Sequence, residues 1–213
     1  MRIVAMHLSA WKQSMDWSCG PACLLVALNE FIHLEISEPN EHRIWLDVRF
    51  RIYWGSLAPS LADHVRRQYG LGSMIYVHEA EKELFLRTSP PDRQERYDWY
   101  LAENLRENEA LRAQGLPVIT LPPHQPAFLA MVEALLANHD IKVIPMIRDD
   151  DGILHYVLLR ANEQQRIVVM DPDSGLNREW GVREFLADYQ GRVTGLYVVL
   201  ARTLGELPQI GQH

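Results

Sequence analysis

The chain has 213 residues, of which 47% are apolar, and a formal net charge of −7. That is enough apolar material for one domain with a real core, or one core plus an insertion, and it excludes a disordered chain. Arg is interleaved with Glu and Asp instead of gathering into a basic stripe, which excludes a phosphate-neutralising nucleic-acid binder. No apolar run approaches the roughly 20 residues that a membrane span needs.

The N-terminus, Met1-Arg-Ile-Val-Ala-Met-His7-Leu8, lacks the pattern of a signal peptide. Only two cysteines occur, Cys19 and Cys23. On a helix they share a face, but i,i+4 neighbours sit at the upper end of the spacing a disulfide tolerates. Such sparse cysteine usage fits a reducing, cytoplasmic compartment.

The stretch Gln13-Ser-Met-Asp-Trp-Ser-Cys19-Gly-Pro-Ala-Cys23 leads into the apolar run Leu24–Leu28. Ser18 suits an N-cap, and Pro21 suits a first helical turn, where its missing N–H costs nothing. The residues from Pro21 to about His33 are mostly apolar or small, which predicts a helix buried on most sides. Cys19 then stands at a helix N-terminus, where free N–H groups and the dipole favour a thiolate. The same N–H groups can face an oxyanion, and the Gln13 amide can add a second donor. Cys23 reads as a small core residue.

A second helix is expected from Pro39 to about Phe50, and a turn at Trp54-Gly55-Ser56. A third helix runs from Ala58 to Tyr69 and is capped by Gly70. Met74–His78 alternates as a strand does. From Glu79 to Pro123 the charge density rises. Asp92–Ala113 reads as a long, largely solvated helix ended by Gly115, either a surface insertion or a lid over a cleft. Ala127–Ala137 is a short amphipathic helix. Strands follow at Lys142–Arg148, Ile153–Arg160 and Ile167–Met170, then a helix at Val182–Tyr189 and a last strand at Gly195–Leu200. Asp149–Gly152 is a tight turn. Helices first and strands last predict an α+β domain, with helices packed on one side of an antiparallel sheet.

A thiol nucleophile needs a base, and the base needs an orienting group. His155 sits inside the apolar strand Ile153–Leu159, where an imidazole must be partnered or face a cleft. Asp171 ends the next strand, sixteen residues on, and Pro172 stops that strand at the sheet rim. If the two strands pair, His155 and Asp171 can touch. Trp17 and Trp54 are candidates for a groove wall, with core packing as the alternative. His7, His64 and His78 lack metal-ligand spacing, and neither a metal nor a cofactor is expected.

Gln-x5-Cys-Gly-Pro-Ala, a strand bearing His-Tyr-Val-Leu-Leu, and a strand ending Asp-Pro-x-x-Gly together resemble the papain-like bacteriocin-processing cysteine peptidases, which cut double-glycine leader peptides. The resemblance covers roughly residues 8–76 and 125–200. It implies a single papain-like domain over 1–213, with N-terminal helices on a C-terminal sheet and a charged helical insertion at about 79–123. It also implies Cys19 as nucleophile, His155 as base, Asp171 as orienting residue and Gln13 in the oxyanion hole, acting through a thioester on a peptide or protein substrate. A place in a bacterial peptide-maturation or export system follows from the same resemblance. Transporter-fused members carry Asp directly before the cysteine. Here that position is Ser18, and no Gly-x4-Gly-Lys-Ser/Thr is present, so the likeness is to stand-alone members. Two other outcomes share this chemistry or this surface: acyl transfer from the thioester to an amine or thiol, and leader-peptide binding without cleavage.

Overall fold

The computed structural model describes residues 8–50, 55–123, 127–162, 164, 166–189 and 191–207. Its first helix opens on the nucleophile candidate itself (α1, Cys19–Ile32) and buries nearly every side chain from Gly20 to Leu28. It closes through His33, whose left-handed φ of 58° lets its N–H bond to the Asn29 carbonyl. Two helices follow, α2 (Glu38–Val48) and α3 (Ala58–Tyr69), each with proline in its first turn. Gly70 caps α3 at φ 67°, as its sequence position predicts. Trp54 and His7 lie outside the described residues.

Among the described residues, eight strands form one sheet. They are β1 (Gly72–Val77), β2 (Val118–Thr120), β3 (Lys142–Arg148), β4 (Leu154–Tyr156), β5 (Leu158–Ala161), β6 (Ile167–Asp171), β7 (Leu176–Trp180) and β8 (Val193–Ala201). The order is β2-β1-β8-β3-β5-β6-β7, with β4 also paired to β3. Every pairing is antiparallel except β1 with β2. The expected strand at Ile153–Arg160 is broken at Val157 into β4 and β5. β3 keeps one register with both segments, which places Pro145 opposite Val157, and on its other side β3 shifts register against β8 between Pro145 and Ile147. Proline has no N–H to give a ladder, so a strand containing it pairs irregularly there.

The sheet is covered on both faces, not one. Alternate strand residues such as Ile75, Ile144, Leu158 and Val198 pack with α1, α2 and α3. Their neighbours Tyr76, Val143, Leu159 and Tyr197 pack with α6 (Ala127–Ala137) and α7 (Val182–Tyr189). Covering both faces buries every residue of β1 and β8, although Met74–His78 reads in sequence as alternating. Within 79–123 the chain forms α4 (Glu79–Thr88), a helix additional to those expected, and α5 (Pro91–Ala113). Most of α5 faces water, but Tyr97, Leu101, Asn104, Asn108 and Leu111 make a buried stripe. That spacing alternates four and three residues, so the stripe stays on one side of the helix. Its Asn104 Oδ1 accepts from the Ala58 N–H, satisfying a free donor at the start of α3.

Candidate active site

Three of the four residues singled out in the sequence converge. His155 lies on β4 and Asp171 ends β6, and His155 Nε2 sits 3.1 Å from Asp171 Oδ1. Cys19, at the head of α1, lies close enough to the same imidazole to raise its pKa. With Nε2 facing the carboxylate, Nδ1 is the ring nitrogen left for the sulfur. Cys19 is partly exposed and forms no disulfide. Gln13 reaches the group through its backbone: its N–H donates to the Pro172 carbonyl at 2.8 Å, one residue beyond Asp171. The Gln13 Oε1 is buried without a hydrogen-bond partner.

Electrostatics favour an ionised dyad. Burial pushes the His155 imidazolium down, but the Asp171 hydrogen bond and the nearby Cys19 more than reverse this, raising its pKa to about 10. The hydrogen bond from His155 holds the Asp171 carboxyl below its ordinary value, against the opposing effect of burial. Asp173 donates its N–H to Asp171 Oδ1 at 3.0 Å. His155, Asp171 and Asp173 also bring three ligand-type atoms within 4.8 Å of one another. Two of the three are already committed to the His155–Asp171 contact, so that contact accounts for most of the cluster without a cation.

Cys19 and His155 face a cleft of about 480 Å³. One wall is α5, through Arg93, Tyr97, Trp99 and Tyr100. The helix is tied to the turn that carries β4. Arg93 Nη1 donates to the Asp151 carbonyl at 2.8 Å, and the Tyr97 hydroxyl donates to the Gly152 carbonyl. Gly152 adopts φ 74°, which the tight turn between β3 and β4 demands. These bonds join α5 to the β3–β4 turn beside the cleft. The Tyr100 and Tyr156 hydroxyls both donate to the Ser56 carbonyl on the cleft floor. Burial, first of all, drives both phenols well above their ordinary range, so they remain donors.

Next to the thiol, Gly20 is held by space rather than by backbone angle. A Cβ there falls inside van der Waals contact of Ser56 Oγ, and 3.0 Å from Leu61 Cδ1. Ser56 Oγ is itself buried without a partner. Gly20→Ala is therefore expected to destabilise the protein by about 1–3 kcal/mol through overpacking. Adding Ser56→Ala should return most of that loss, since the hydroxyl it removes makes no bond. Thermal denaturation of the two single variants and the double variant checks this; strict additivity would refute the contact.

The remaining candidates take structural places. Cys23 is fully buried, lies 3.6 Å from the Tyr156 carbonyl, and burial pushes its thiol well up. His78 caps α4, its Nδ1 accepting from the Glu81 N–H at 3.1 Å. His64 pairs with Asp47 at 3.5 Å. Ser18 holds the N-cap position but makes no cap bond with its side chain; its hydroxyl donates to Glu41 instead. Trp17 is 40% exposed at the cleft rim. Sequence reasoning misses Tyr100, Ser56 and Glu41, because single polar residues far from the motif carry no spacing signal.

No protein-family model matches this chain, and no curated protein matches it in sequence. Among solved structures it is similar to the peptidase domain of Streptococcus ComA, a bifunctional ABC transporter involved in a quorum-sensing pathway. The TM-score is 0.50 at 14% identity, covering 92% of this chain and 100% of that one. At that identity the likeness is one of fold: the mixed helix-and-sheet architecture is papain-like. Among the described residues, no helix is long and apolar enough to cross a membrane.

Proposed function

We propose that this chain is a cysteine peptidase acting on a peptide or protein substrate through Cys19, His155, Asp171 and Gln13. The observation that carries the reading is His155 held between the Asp171 carboxylate, at 3.1 Å, and a thiol at a helix N-terminus. The sulfur adds to the scissile carbonyl. The Cys19 N–H and the Gln13 side-chain amide receive the oxyanion. His155 gives its proton to the leaving amine, and a thioester remains. Water then attacks the thioester while His155 takes the water's proton, which frees the carboxylate product and restores the thiol.

The domain reading belongs to the same proposal. Residues 1–213 form one papain-like unit, and 79–123 is a charged helical addition whose α5 supplies a wall of the substrate cleft. Aromatic side chains on that wall (Tyr97, Trp99, Tyr100) favour an extended peptide with an apolar side chain near the scissile bond. Two cysteines outside any disulfide are consistent with a reducing, cytoplasmic setting.

The test is covalent trapping. A peptide chloromethyl ketone library should modify Cys19 once per chain, with the label mapped by mass spectrometry and the preferred peptide read from the adduct. Labelling spread over surface residues, with Cys19 untouched, would sink the reading.

A further inference from the structure

Residues 11–18 have no regular secondary structure, yet they carry Gln13 and lead into Cys19. One side chain from another element gathers them. Glu41, on α2, is fully buried. Its Oε2 accepts from Trp11 Nε1 at 2.6 Å. Both of its oxygens lie 3.1 Å from the Ser14 N–H. Its Oε1 accepts from Ser18 Oγ at 2.5 Å. Trp11 and Ser14 bracket Gln13, and Ser18 is the last residue before the thiol. A carboxylate is acceptor-only, so it can receive all three donors at once, and none of them competes with the others.

We infer that Glu41 is a positioning residue: it fixes the register between the Gln13 amide and Cys19, and so shapes the oxyanion hole of the proposed peptidase. The inference rests on that peptidase reading and extends it to a residue outside the reacting group. The strap is also held at Gln13 N–H to Pro172, at 2.8 Å, and at Ser18 N–H to Met15, at 3.1 Å. The first ties the strap to the residue after β6, and the second closes a turn within the strap itself. Glu41 alone spans Trp11, Ser14 and Ser18, the span that sets where the amide points.

Glu41→Gln keeps the shape and one acceptor oxygen but turns the other position into a donor. The amide oxygen can serve Trp11 and Ser14 only with the N–H turned to Ser18, whose hydroxyl must then accept it and give its own proton to the Met15 carbonyl, 2.9 Å away. The charge-assisted bonds to all three donors are lost, and the strap loosens while α2 stays packed. Two reactions at Cys19 separate this from a general loss of structure. Alkylation by iodoacetamide needs a reactive thiol but no oxyanion hole. Reversible addition of a peptide aldehyde forms a tetrahedral hemithioacetal, with a new S–C bond and the carbonyl π pair moved onto oxygen, and therefore needs the hole.

The experiment measures both on the full chain, reading aldehyde affinity as protection of Cys19 from alkylation. Glu41→Gln is expected to leave the alkylation rate within about threefold of wild type and to weaken the aldehyde by about 10- to 100-fold, part of what deleting an oxyanion donor costs. Trp11→Phe removes one donor, leaves the carboxylate paired with Ser14 and Ser18, and should weaken the aldehyde by a smaller factor. It carries the test should Glu41→Gln lose its melting transition. Unchanged aldehyde affinity overturns the inference. So does a parallel fall in both reactions, which marks Glu41 as a general packing residue. A wild-type chain that alkylates normally but forms no hemithioacetal overturns the peptidase reading, and the inference with it.

Discussion

Cys19→Ala is expected to abolish peptide hydrolysis while leaving the melting temperature nearly unchanged. The thiol stands partly exposed at the edge of the core, so its loss removes little packing. The chemical loss is large because covalent attack has no substitute at this place. On the proposed mechanism His155 and Asp171 would still move protons, but without sulfur they would have no acyl-enzyme to form or resolve. By comparison with nucleophile deletions in other hydrolases, turnover should fall on the order of 10⁴-fold or more. Cys23→Ala is the matched control. Its side chain is fully buried beneath the site, so it should cost stability and spare activity. Retained hydrolysis in Cys19→Ala, or loss confined to Cys23→Ala, would move the nucleophile elsewhere.

The second large effect concerns pH. His155 is raised from 6.5 to about 10 in the folded chain. A group whose folded value is raised stabilises fully below its unfolded value and loses that contribution as pH climbs. The loss should begin near 6.5 and finish near 10. Asp171 is lowered from 3.8, so its contribution is present above that value and vanishes as acid carries the pH through its folded value. The dyad thus stabilises most between about pH 4 and 6.5, and the alkaline side should cost on the order of a few kcal/mol. Denaturant unfolding measured from about pH 6.5 to 10 checks the slope. Asp171→Asn should flatten much of it and reduce turnover by up to about 10⁴-fold, the loss known when a triad carboxylate becomes an amide. An identical slope in the variant would mean that the carboxylate does not hold the proton on His155.

Much of this architecture is legible in the chain itself, for identifiable reasons. α1, α3 and α6 are marked by apolar stretches, proline or glycine punctuation, or both, and these signals act locally. His155 and Asp171 stand out because a titratable group in an apolar strand needs a partner. α4 escapes notice because its cap is a histidine, an uncommon acceptor at that position. β7 escapes it because an edge strand exposes most of its residues, and Leu176–Trp180 is correspondingly polar. The break between β4 and β5 falls where Val157 faces Pro145 on β3, which has no N–H to give, and periodicity in one segment does not reveal its partner. The second helical layer is hidden for a related reason: the number of covered sheet faces is a property of packing. Glu41 belongs to the same class, since nothing near residue 41 announces what residues 11 to 18 require.

The order of the strands carries one more consequence. The sulfur precedes its imidazole and carboxylate partners along the chain, so it is synthesised before them. β1 waits for β8, and β8 also supplies one side of β3. An emerging polypeptide, or a fragment truncated before Asp171, therefore holds the thiol without the proton-transfer pair that would arm it. The thiol and the proposed proton-transfer pair meet only when the sheet has closed. The same long-range pairing makes folding slow relative to a helical bundle of this size.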